Sequence, residues 1–386
     1  MSFLRQEPVA ITGMGLVCRR VPGEPACVGT SGRTRFMTVE CPVVPSRFER
    51  EMQRTAERSR AIELAMSAAI EAMKNAAQFD SRCGVVVTVS KGLTDAIEAA
   101  VERLISNSNH TLIPTISELG ADAAAVWIAR AMTLGGPASA VVAACASGVA
   151  SIKLGMDWLR DGVCDSVLAG AAESSNSDLI LRSFERMGVI SPSGRTRPFD
   201  ALRDGFVVGE GAGIFRIERM ESARRSGSEI LGTIAGIALG ADAHHVTTPD
   251  PEGTVLAGVI ENTMLRAGIE PGQIGWIHAH GTATAYNDPL EIRALQRVFG
   301  KQVPPVTATK GITGHLLGAS GAVALGLTVE ALRGGFIPGI AGLEEPAAEF
   351  EDIDLVLGAA RVTTAKTALV LNHGFGGHIA AAVVTR

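Results

Sequence analysis

The chain carries one cysteine in a setting where a thiol could act as a nucleophile. Cys145 lies in AACASGVAS, residues 143–151, between an apolar run and a stretch with helical spacing. A strand that turns directly into a helix places the thiol beside the helix's unpaired N–H groups. Their positive end lowers a thiol pKa and favours the thiolate. For this residue alone, a buried cysteine that only fills space is an equally good interpretation.

Two of the eight histidines follow apolar runs and are flanked by glycine. His280 lies in HAHGTAT, and His315 lies in KGITGHLLGASG, five residues after Lys310. Each is predicted at a strand–loop–helix junction, where side chains of an α/β fold converge on a site. One such histidine is more readily structural. Two of them together with Cys145 favour a catalytic site.

Three further motifs have other predicted roles. NHGFGG, residues 372–377, is typical of a tight turn that brings backbone N–H groups near a ligand. HHVTTPD, residues 244–250, lacks paired ligand spacing, so we predict no metal site. Asp288 and Glu291, in DPLE, are interpreted as acids of a helix's first turn.

The hydrophobic periodicity predicts strands that alternate with helices. After Cys145 the apolar residues form a stripe at i, i+3, i+7 and i+10, and Gly162 follows as a C-terminal cap. The other predicted elements are strands 8–16, 83–90, 139–145, 165–173, 211–218 and 230–242, helices 52–76, 120–132, 254–267 and one from about 289, a strand–loop segment 274–282, a strand–loop–helix segment 306–332, and a hairpin 367–385, with residues 17–50 as a loop. This order predicts an α/β fold of two related halves that share one core.

Composition excludes several classes of protein. Of the 386 residues, 46% are hydrophobic and 19% are charged, and the net charge is −5, which argues against nucleic-acid and membrane-surface binding. The uncharged stretch 131–152 contains glycine, proline and serine, so we interpret it as a buried strand–turn–helix and not a membrane span. Six cysteines without CxxC spacing, and an N-terminus without a secretory signature, predict a cytoplasmic protein.

Five motifs in order resemble those of a known family. They are ACASG with Cys145, RPFDALRDGFVVGEGAG, AHGTAT with a later N-D and E, TKGITGHLLGASGAV, and N-GFGG near the end. VAITGMG, near the N-terminus, is a weaker match. The chain resembles the β-ketoacyl-[acyl carrier protein] synthases. It is closest to the elongating, KAS II-like branch, which includes the discrete ketosynthases of type II polyketide systems.

The resemblance implies a thiolase-like fold, an αβαβα sandwich of two pseudo-repeated halves. We expect the halves at residues 1–225, with the nucleophilic cysteine, and 226–386, with the two histidines, in one intimate unit. The implied reaction is a decarboxylative Claisen condensation of a cysteine-bound acyl group with malonyl-[acyl carrier protein].

The same resemblance implies roles for the central residues. Cys145 would carry the acyl group. His280 and His315 would bind the malonyl thioester carbonyl, promote decarboxylation and stabilise the enolate, and Lys310 would hold the charge network around His315.

It also implies roles around them. Thr282 and Thr284 would line the malonyl and pantetheine side, with Thr247 near the pantetheine arm. Phe375 would act as a gate, and its backbone N–H would form an oxyanion hole with that of Cys145.

Partners and cofactors follow from the same resemblance. We expect an acyl carrier protein, whose phosphopantetheine carries the substrates, and no metal or redox cofactor. We also expect a homodimer, or a heterodimer with a ketosynthase-like subunit. The alternatives are a thiolase-fold acyltransferase with a non-malonyl acceptor, or a subunit active only with a ketosynthase-like partner.

The sequence departs from the family pattern in two places. The segment after the first strand, VCRRVPGEPACVGTSGRTRF, is short and proline-rich, and Cys18 stands where the family often has serine. Near the end, His373 replaces an aromatic residue beside the gate, and His378 stands where threonine is usual. These changes favour secondary metabolism over primary fatty acid synthesis.

Overall fold

The computed structural model describes residues 5–18, 59–76, 81–106, 119–175 and 177–386. The loop predicted over 17–50 lies outside the described residues from 19 onward, as does the first part of the helix predicted over 52–76.

Strands and helices alternate along the described chain. The strands are β1 (Val9–Cys18), β2 (Cys83–Val89), β3 (Ala138–Ser139), β4 (Ser166–Glu173), β5 (Gly211–Arg219), β6 (Gly232–Ala241), β7 (Trp276–His278), β8 (Val306–Thr307), β9 (Phe336–Ile337), β10 (Arg361–Val362), β11 (Thr367–Gly374) and β12 (His378–Thr385). The α-helices are α1 (Arg60–Ala72), α2 (Thr94–Ile105), α3 (Ala123–Met132), α4 (Ser147–Arg160), α5 (Asp178–Arg186), α6 (Met220–Ser226), α7 (Thr254–Ala267), α8 (Asn287–Phe299), α9 (Lys310–Thr313) and α10 (Ser320–Gly334).

Ten of the described strands form one mixed sheet in the order β3-β2-β4-β5-β1-β6-β12-β11-β7-β8. The pairs β2–β4 and β11–β7 are parallel, whereas β1 pairs antiparallel with both β5 and β6. Strands from the first part of the chain therefore occupy one side of the sheet, and strands from the second part occupy the other.

Buried side chains divide the molecule into layers. One cluster joins α4 and α10 to strands from both halves of the sheet, so these two helices form the layer between the two halves. A second cluster holds α1 and α3 against β2, and a third holds α7 and α8 against β7 and β11. Strand β11 alternates between clusters, since Val370 faces the central helices and Leu369 faces the outer ones. The expected αβαβα sandwich is confirmed.

Helix α4 forms where its apolar stripe predicts it. Val149, Ile152, Met156 and Leu159 are all at most 5% exposed. The helix ends as expected, because Gly162 has φ +71° and its N–H donates to Leu159 O at 3.3 Å.

The buried strand predicted over 139–145 is wrong. Only Ala138 and Ser139 form β3, and the residues from 140 to 144 are irregular and partly exposed. Val142 is 54% exposed. An apolar run does not distinguish a buried strand from an apolar edge, and β3 is the first strand of the sheet.

In the part of the chain that the structure describes, no helix combines the length and apolar character needed to cross a bilayer. The uncharged stretch 131–152 is divided among the end of α3, β3 and the start of α4.

The two central helices touch at a glycine. A Cβ added to Gly148 of α4 would lie 2.9 Å from both the Cβ and the backbone N of Ala322 in α10. This distance is shorter than a normal contact, so any side chain here must push the helices apart.

We expect Gly148→Ala to lower the free energy of unfolding by about 1–3 kcal/mol, the usual cost of overpacking a core. Gly258→Ala is the matched control, since Gly258 also lies in a helix, α7, with no atom within 4 Å of the added Cβ. The control should gain about 0.5–1 kcal/mol of helix propensity. Urea unfolding measures the free energy of unfolding of both variants. Equal changes in the two variants would contradict the close contact between the helices.

Candidate active site

Cys145 lies in a strained turn immediately before α4. Ala144 has φ +47°, a left-handed conformation that is costly for a residue with a Cβ. The Ser147 hydroxyl holds the turn, because it donates to Ala144 O at 2.6 Å and accepts from Ala143 N at 2.9 Å. The predicted turn into a helix is thus present, although irregular backbone and not a strand leads into it, and the Cys145 side chain is buried.

The pKa of Cys145 does not follow the expected direction. Burial raises the pKa of the thiol above its usual range, and this effect exceeds the opposing attraction of Lys91 and Lys310. The prediction of a lowered pKa counted the helix terminus but not the burial, which the apolar side chains of Phe184 and Phe206 help to provide.

His280 is fixed by a buried amine. Lys310 Nζ lies 3.1 Å from His280 Nδ1 and also donates to the backbone carbonyl of the same residue. Since an ammonium only donates, Nδ1 accepts, and the neutral ring carries its proton on Nε2. The resemblance placed Lys310 in the charge network around His315, whereas its hydrogen bonds are with His280.

His315 lies beside this ring. Its centroid is 5.3 Å from that of His280, with the rings nearly perpendicular, and its Nδ1 is 2.8 Å from the hydroxyl of Ser320 at the start of α10. The ring of Phe206 packs nearly perpendicular to it, with 4.7 Å between the ring centroids. Burial first, and then Lys310, lower the pKa of both histidines well below 6.5, so both are neutral at pH 7.

The loop that carries His280 is held by two buried carboxylates. Glu291 accepts from the backbone N–H groups of His280 at 2.6 Å and Gly281 at 2.7 Å. Asp288 accepts from those of Phe199 at 2.9 Å and Ala283 at 3.1 Å. Asp288 lies in the first turn of α8, as interpreted, whereas Glu291 lies beyond that turn, and both carboxylates also bind the backbone of the His280 loop. Both point from α8 into the core, and their i, i+3 spacing on its apolar face was the available signal.

The end of the β11–β12 hairpin abuts the cysteine turn. A Cβ on Gly374 would lie 2.9 Å from both Cys145 N and Ala143 O, so the two segments are in direct contact. The next residue, Phe375, is half-buried, and its ring centroid lies 6.2 Å from that of Phe184.

These groups surround one cavity of about 210 Å³. Seven of the eight predicted site residues line it, namely Cys145, Thr247, His280, Thr282, Thr284, His315 and Phe375. The eighth, Lys310, contacts the His280 ring. Within the described ranges, no group of three or more His, Cys, Asp or Glu is placed to hold a metal ion.

His373 is a further histidine that lines this cavity, and the sequence indicated only that it was unusual. It is 9% exposed, its ring centroid lies 5.4 Å from that of His280, and its Nδ1 is 3.0 Å from Asn287 Oδ1. The signal was its position in NHGFGG, two residues before the predicted gate.

Glu173 was not predicted at all. This buried carboxylate, at the end of β4, accepts from Ser175 Oγ at 2.5 Å and Gly318 N at 3.2 Å, and Lys91 Nζ lies 3.6 Å away. It faces the Cys145 side of the site, where its charge raises the pKa of the thiol. An acid that ends an otherwise apolar strand, DSVLAGAAE, was the signal in the sequence.

The buried histidines make the fold sensitive to acid. His278 and His373 have pKa values lowered to about 3, mainly by burial, and those of His280 and His315 are also lowered. Below pH 6.5 the unfolded chain binds protons that the folded chain does not, so stability falls as pH falls. Glu291, whose pKa burial raises, acts with the opposite sign.

We therefore expect a difference between wild type and His373→Phe. Between pH 6 and pH 4.5 the wild type should lose up to about 1.4 kcal/mol per pH unit more than the variant, the value for one buried neutral histidine. Urea unfolding at several pH values measures this difference. Parallel curves would show that His373 is protonated in the folded chain.

Comparison with known proteins supports the resemblance to the β-ketoacyl synthases along most of the chain. The model of the β-ketoacyl synthase N-terminal domain matches residues 30–223, and that of the β-ketoacyl synthase C-terminal domain matches residues 231–344. The 3-oxoacyl-[acyl-carrier-protein] synthase 2 of Coxiella burnetii is 33% identical over 79% of this chain and 75% of its own. The tetracenomycin polyketide synthase ketoacyl synthase alpha subunit of Streptomyces glaucescens is 30% identical over 100% of this chain and 99% of its own.

Solved structures agree with these relatives. A β-ketoacyl synthase from Burkholderia phymatum superposes with a TM-score of 0.85 at 26% identity, covering 99% of this chain and 100% of that chain. A type II polyketide acyl-carrier protein complex with its ketosynthase, bound to the hexaketide, gives a TM-score of 0.84 at 26% identity, covering 99% and 100%. The ishigamide ketosynthase/chain length factor gives 0.85 at 26%, covering 98% and 99%. With its layered fold and these matches, the chain belongs to the β-ketoacyl synthase family.

Proposed function

We propose that this chain condenses a cysteine-bound acyl group with a malonyl thioester and releases CO2. The observation that carries the proposal is the cavity that Cys145, His280 and His315 share, with His280 held as a hydrogen-bond donor by Lys310. Membership of the β-ketoacyl synthase family supports the same acyltransferase chemistry.

The first half-reaction loads the enzyme. Cys145 Sγ attacks the thioester carbonyl of the acyl donor, the carrier's thiol leaves with a proton, and the acyl group becomes a thioester of Cys145. The backbone N–H groups of Cys145 and Phe375 would hold the oxyanion. The contact between the cysteine turn and Gly374, the residue before Phe375, supports this role.

The second half-reaction forms the carbon–carbon bond. The Nε2–H of His280 and the neutral ring of His315 donate to the thioester carbonyl of the malonyl group. The bond to the carboxylate breaks, CO2 leaves, and its electron pair forms the enolate. The enolate carbon attacks the acyl carbonyl, and the Cys145 thiolate is expelled, giving a β-ketoacyl thioester.

Two neutral histidines suit this step because the developing enolate oxygen needs hydrogen-bond donors, while a full positive charge is already supplied nearby by Lys310. Thr247, Thr282 and Thr284 line the same cavity, and the hydroxyls of Thr282 and Thr284 are 3.0 Å apart. This lining supports the proposal that the three residues contact the malonyl and pantetheine side of the substrate.

The substrates travel on the phosphopantetheine of an acyl carrier protein, as the families of the relatives indicate, and the reaction itself needs no metal or redox cofactor. We assign the chain to polyketide-like secondary metabolism and to the cytoplasm. The full-length match to the tetracenomycin subunit supports the first assignment.

We also propose that residues 1–225 and 226–386 act as two halves of one unit. The sheet order supports this division, since β1 to β5 lie on one side and β6 to β12, apart from the β9–β10 pair, lie on the other.

A thiolase-fold acyltransferase with a non-malonyl acceptor is the second candidate. It would use Cys145 in the same way but release no CO2. The donor orientation of His280 favours condensation, because transfer to an amine or alcohol requires a base instead.

Intact-protein mass spectrometry tests the loading step. After incubation with a panel of acyl-carrier thioesters, the wild type should gain the mass of one acyl group, and Cys145→Ala should gain none. Cys164→Ala is the control, since Cys164 is also buried but lies after α4, and it should load like wild type. Loading that persists in Cys145→Ala would refute the proposed nucleophile.

CO2 release from malonyl-carrier protein separates the candidates. The wild type, once acylated, should release one CO2 for each β-ketoacyl product. Acylation without CO2 release, together with transfer to an amine or alcohol, would favour the acyltransferase.

We propose that a second ketosynthase-type chain covers the β3 edge of the sheet. Among the described strands, β3 pairs only with β2, and the neighbouring Val142 is 54% exposed. An unpaired edge with exposed apolar residues is a common site of strand pairing between chains. The ishigamide ketosynthase/chain length factor supports such a partner, which for this chain is the same or a related subunit.

Val142→Lys should then shift the protein from dimer to monomer at micromolar concentration, because a buried unpaired ammonium opposes association. Val163→Lys is the control, since Val163 is a valine of similar exposure, 47%, after α4. Sedimentation equilibrium measures the association. A wild type that is monomeric, alone and with a chain-length-factor-like subunit, would contradict the proposal.

A further inference from the structure

His373 has a buried nitrogen that no group in the described part of the chain satisfies. Its Nδ1 bonds to Asn287, but its Nε2 has no hydrogen-bond partner among the described residues, although the residue is only 9% exposed. The residue lines the same cavity as Cys145, so its ring forms part of the wall that a bound substrate would meet.

The hydrogen-bond network assigns the tautomer of this ring. Asn287 Nδ2 donates to Glu291 Oε2 at 2.8 Å and to Asp288 Oδ1 at 3.2 Å. Both carboxylates already accept backbone N–H groups, so a flipped amide would set oxygen against oxygen. Asn287 therefore presents Oδ1 to His373, whose Nδ1 must donate, and Nε2 is left as an acceptor.

The cavity thus holds two neutral histidines of opposite tautomer side by side. His280 presents a donor because Lys310 occupies its Nδ1, whereas His373 presents an acceptor because Asn287 occupies its Nδ1. The ring centroids are 5.4 Å apart. In a pantetheine thioester, the α-carbon is bonded to the carbonyl carbon, and the first amide N–H lies only a few bonds further along the arm, so a carbonyl that accepts from His280 brings both groups to this part of the cavity.

Because Nε2 of His373 is a hydrogen-bond acceptor, only some groups of a substrate can bind to it. The carbonyl and carboxylate of a malonyl thioester are both acceptors, and the lone pair of His373 repels them. An ammonium is disfavoured because Lys310 already places a cation nearby. The pKa of His373, lowered to about 3 by burial and Lys310, makes the ring a poor base, so it accepts a hydrogen bond and does not remove a proton.

We propose that His373 is a specificity-determining residue whose Nε2 accepts a hydrogen bond from a neutral O–H or N–H group of the extender thioester. The inference rests on the condensing function proposed above. Two sources share this chemistry: a hydroxyl on the α-carbon of a malonyl-type extender, and the amide N–H of the pantetheine arm.

Two variants separate the two nitrogens of the ring. His373→Asn keeps a side-chain N–H near the Nδ1 position for Asn287 and removes the acceptor. His373→Gln extends an amide oxygen towards the Nε2 position and keeps the acceptor. The two variants distinguish binding of the substrate from the hydrogen bond to Asn287. The first variant retains only the contact with Asn287, and the second retains only the acceptor that would contact the substrate.

The first arm compares hydroxymalonyl-carrier protein with malonyl-carrier protein as extenders. The ratio of their kcat/KM values should fall roughly 3- to 10-fold in His373→Asn, the usual worth of one net hydrogen bond, and should be largely retained in His373→Gln. The loss should appear mainly in KM for the hydroxylated extender, since the bond forms on binding.

The second arm tests the pantetheine amide. It compares the malonyl thioester of N-acetylcysteamine, which has one amide N–H, with that of ethanethiol, which has none. If His373→Asn slows only the amide-containing thioester, the donor belongs to the pantetheine arm. If the ratio changes only in the first arm, the donor is the α-hydroxyl.

Unchanged ratios in both arms, with wild-type condensation intact, would overturn the inference and leave water as the occupant of Nε2. A wild type that condenses no extender would refute the proposed function instead. Nitrogen NMR of the histidine rings provides a readout independent of activity. It should show His373 protonated on Nδ1, and protonation on Nε2 would also overturn the inference.

Discussion

The contact of the buried Lys310 amine with His280 is the interaction on which the site depends. Burial of an amine is costly, and it lowers the pKa of Lys310, while Glu291 and Asp288 favour the charged form. The same two carboxylates hold the backbone of the His280 loop. One buried cation therefore links the tautomer of the histidine, the shape of its loop and the start of α8.

The hydrogen-bond partners also explain why the Nε2 atoms of His280 and His373 have opposite hydrogen-bonding roles. The histidines share burial and the proximity of Lys310, so all are neutral, but the partner of each Nδ1 decides whether Nε2 donates or accepts. An ammonium partner makes a donor, and an amide oxygen makes an acceptor. Whether each ring presents a donor or an acceptor to the cavity is thus set by the partner of its Nδ1, which is Lys310 for His280 and Asn287 for His373.

Much of the fold could be predicted because its strands and helices have strong hydrophobic patterns. The α4 stripe and the β11–β12 hairpin are examples, and both were predicted with nearly correct bounds. Residues 139–145 failed because an apolar run at the edge of a sheet looks the same as one inside it. The order of the motifs indicated the family, and the matches to its relatives confirm that assignment.

Contacts over long sequence distances could not be predicted from the chain. Glu291 reads as a helix acid until the fold turns it towards His280, and Lys310 reads as a neighbour of His315 until the fold places it on the other ring. The pKa of Cys145 failed for a similar reason. The local helix terminus is visible in the sequence, but the side chains that bury the thiol come from distant segments.

The contact between Gly148 and Ala322 restricts where this enzyme can change. Cys145 precedes one of the two touching helices and His315 precedes the other, so the spacing of the reacting groups is tied to the distance between helix axes. A larger side chain at this contact, or a shift of one helix along the other, would change the distance between Cys145 and His315. Adaptation to bulkier acyl groups must therefore arise in the half-exposed wall around Met187 and Phe375, where side chains can be replaced while the reacting groups keep their geometry.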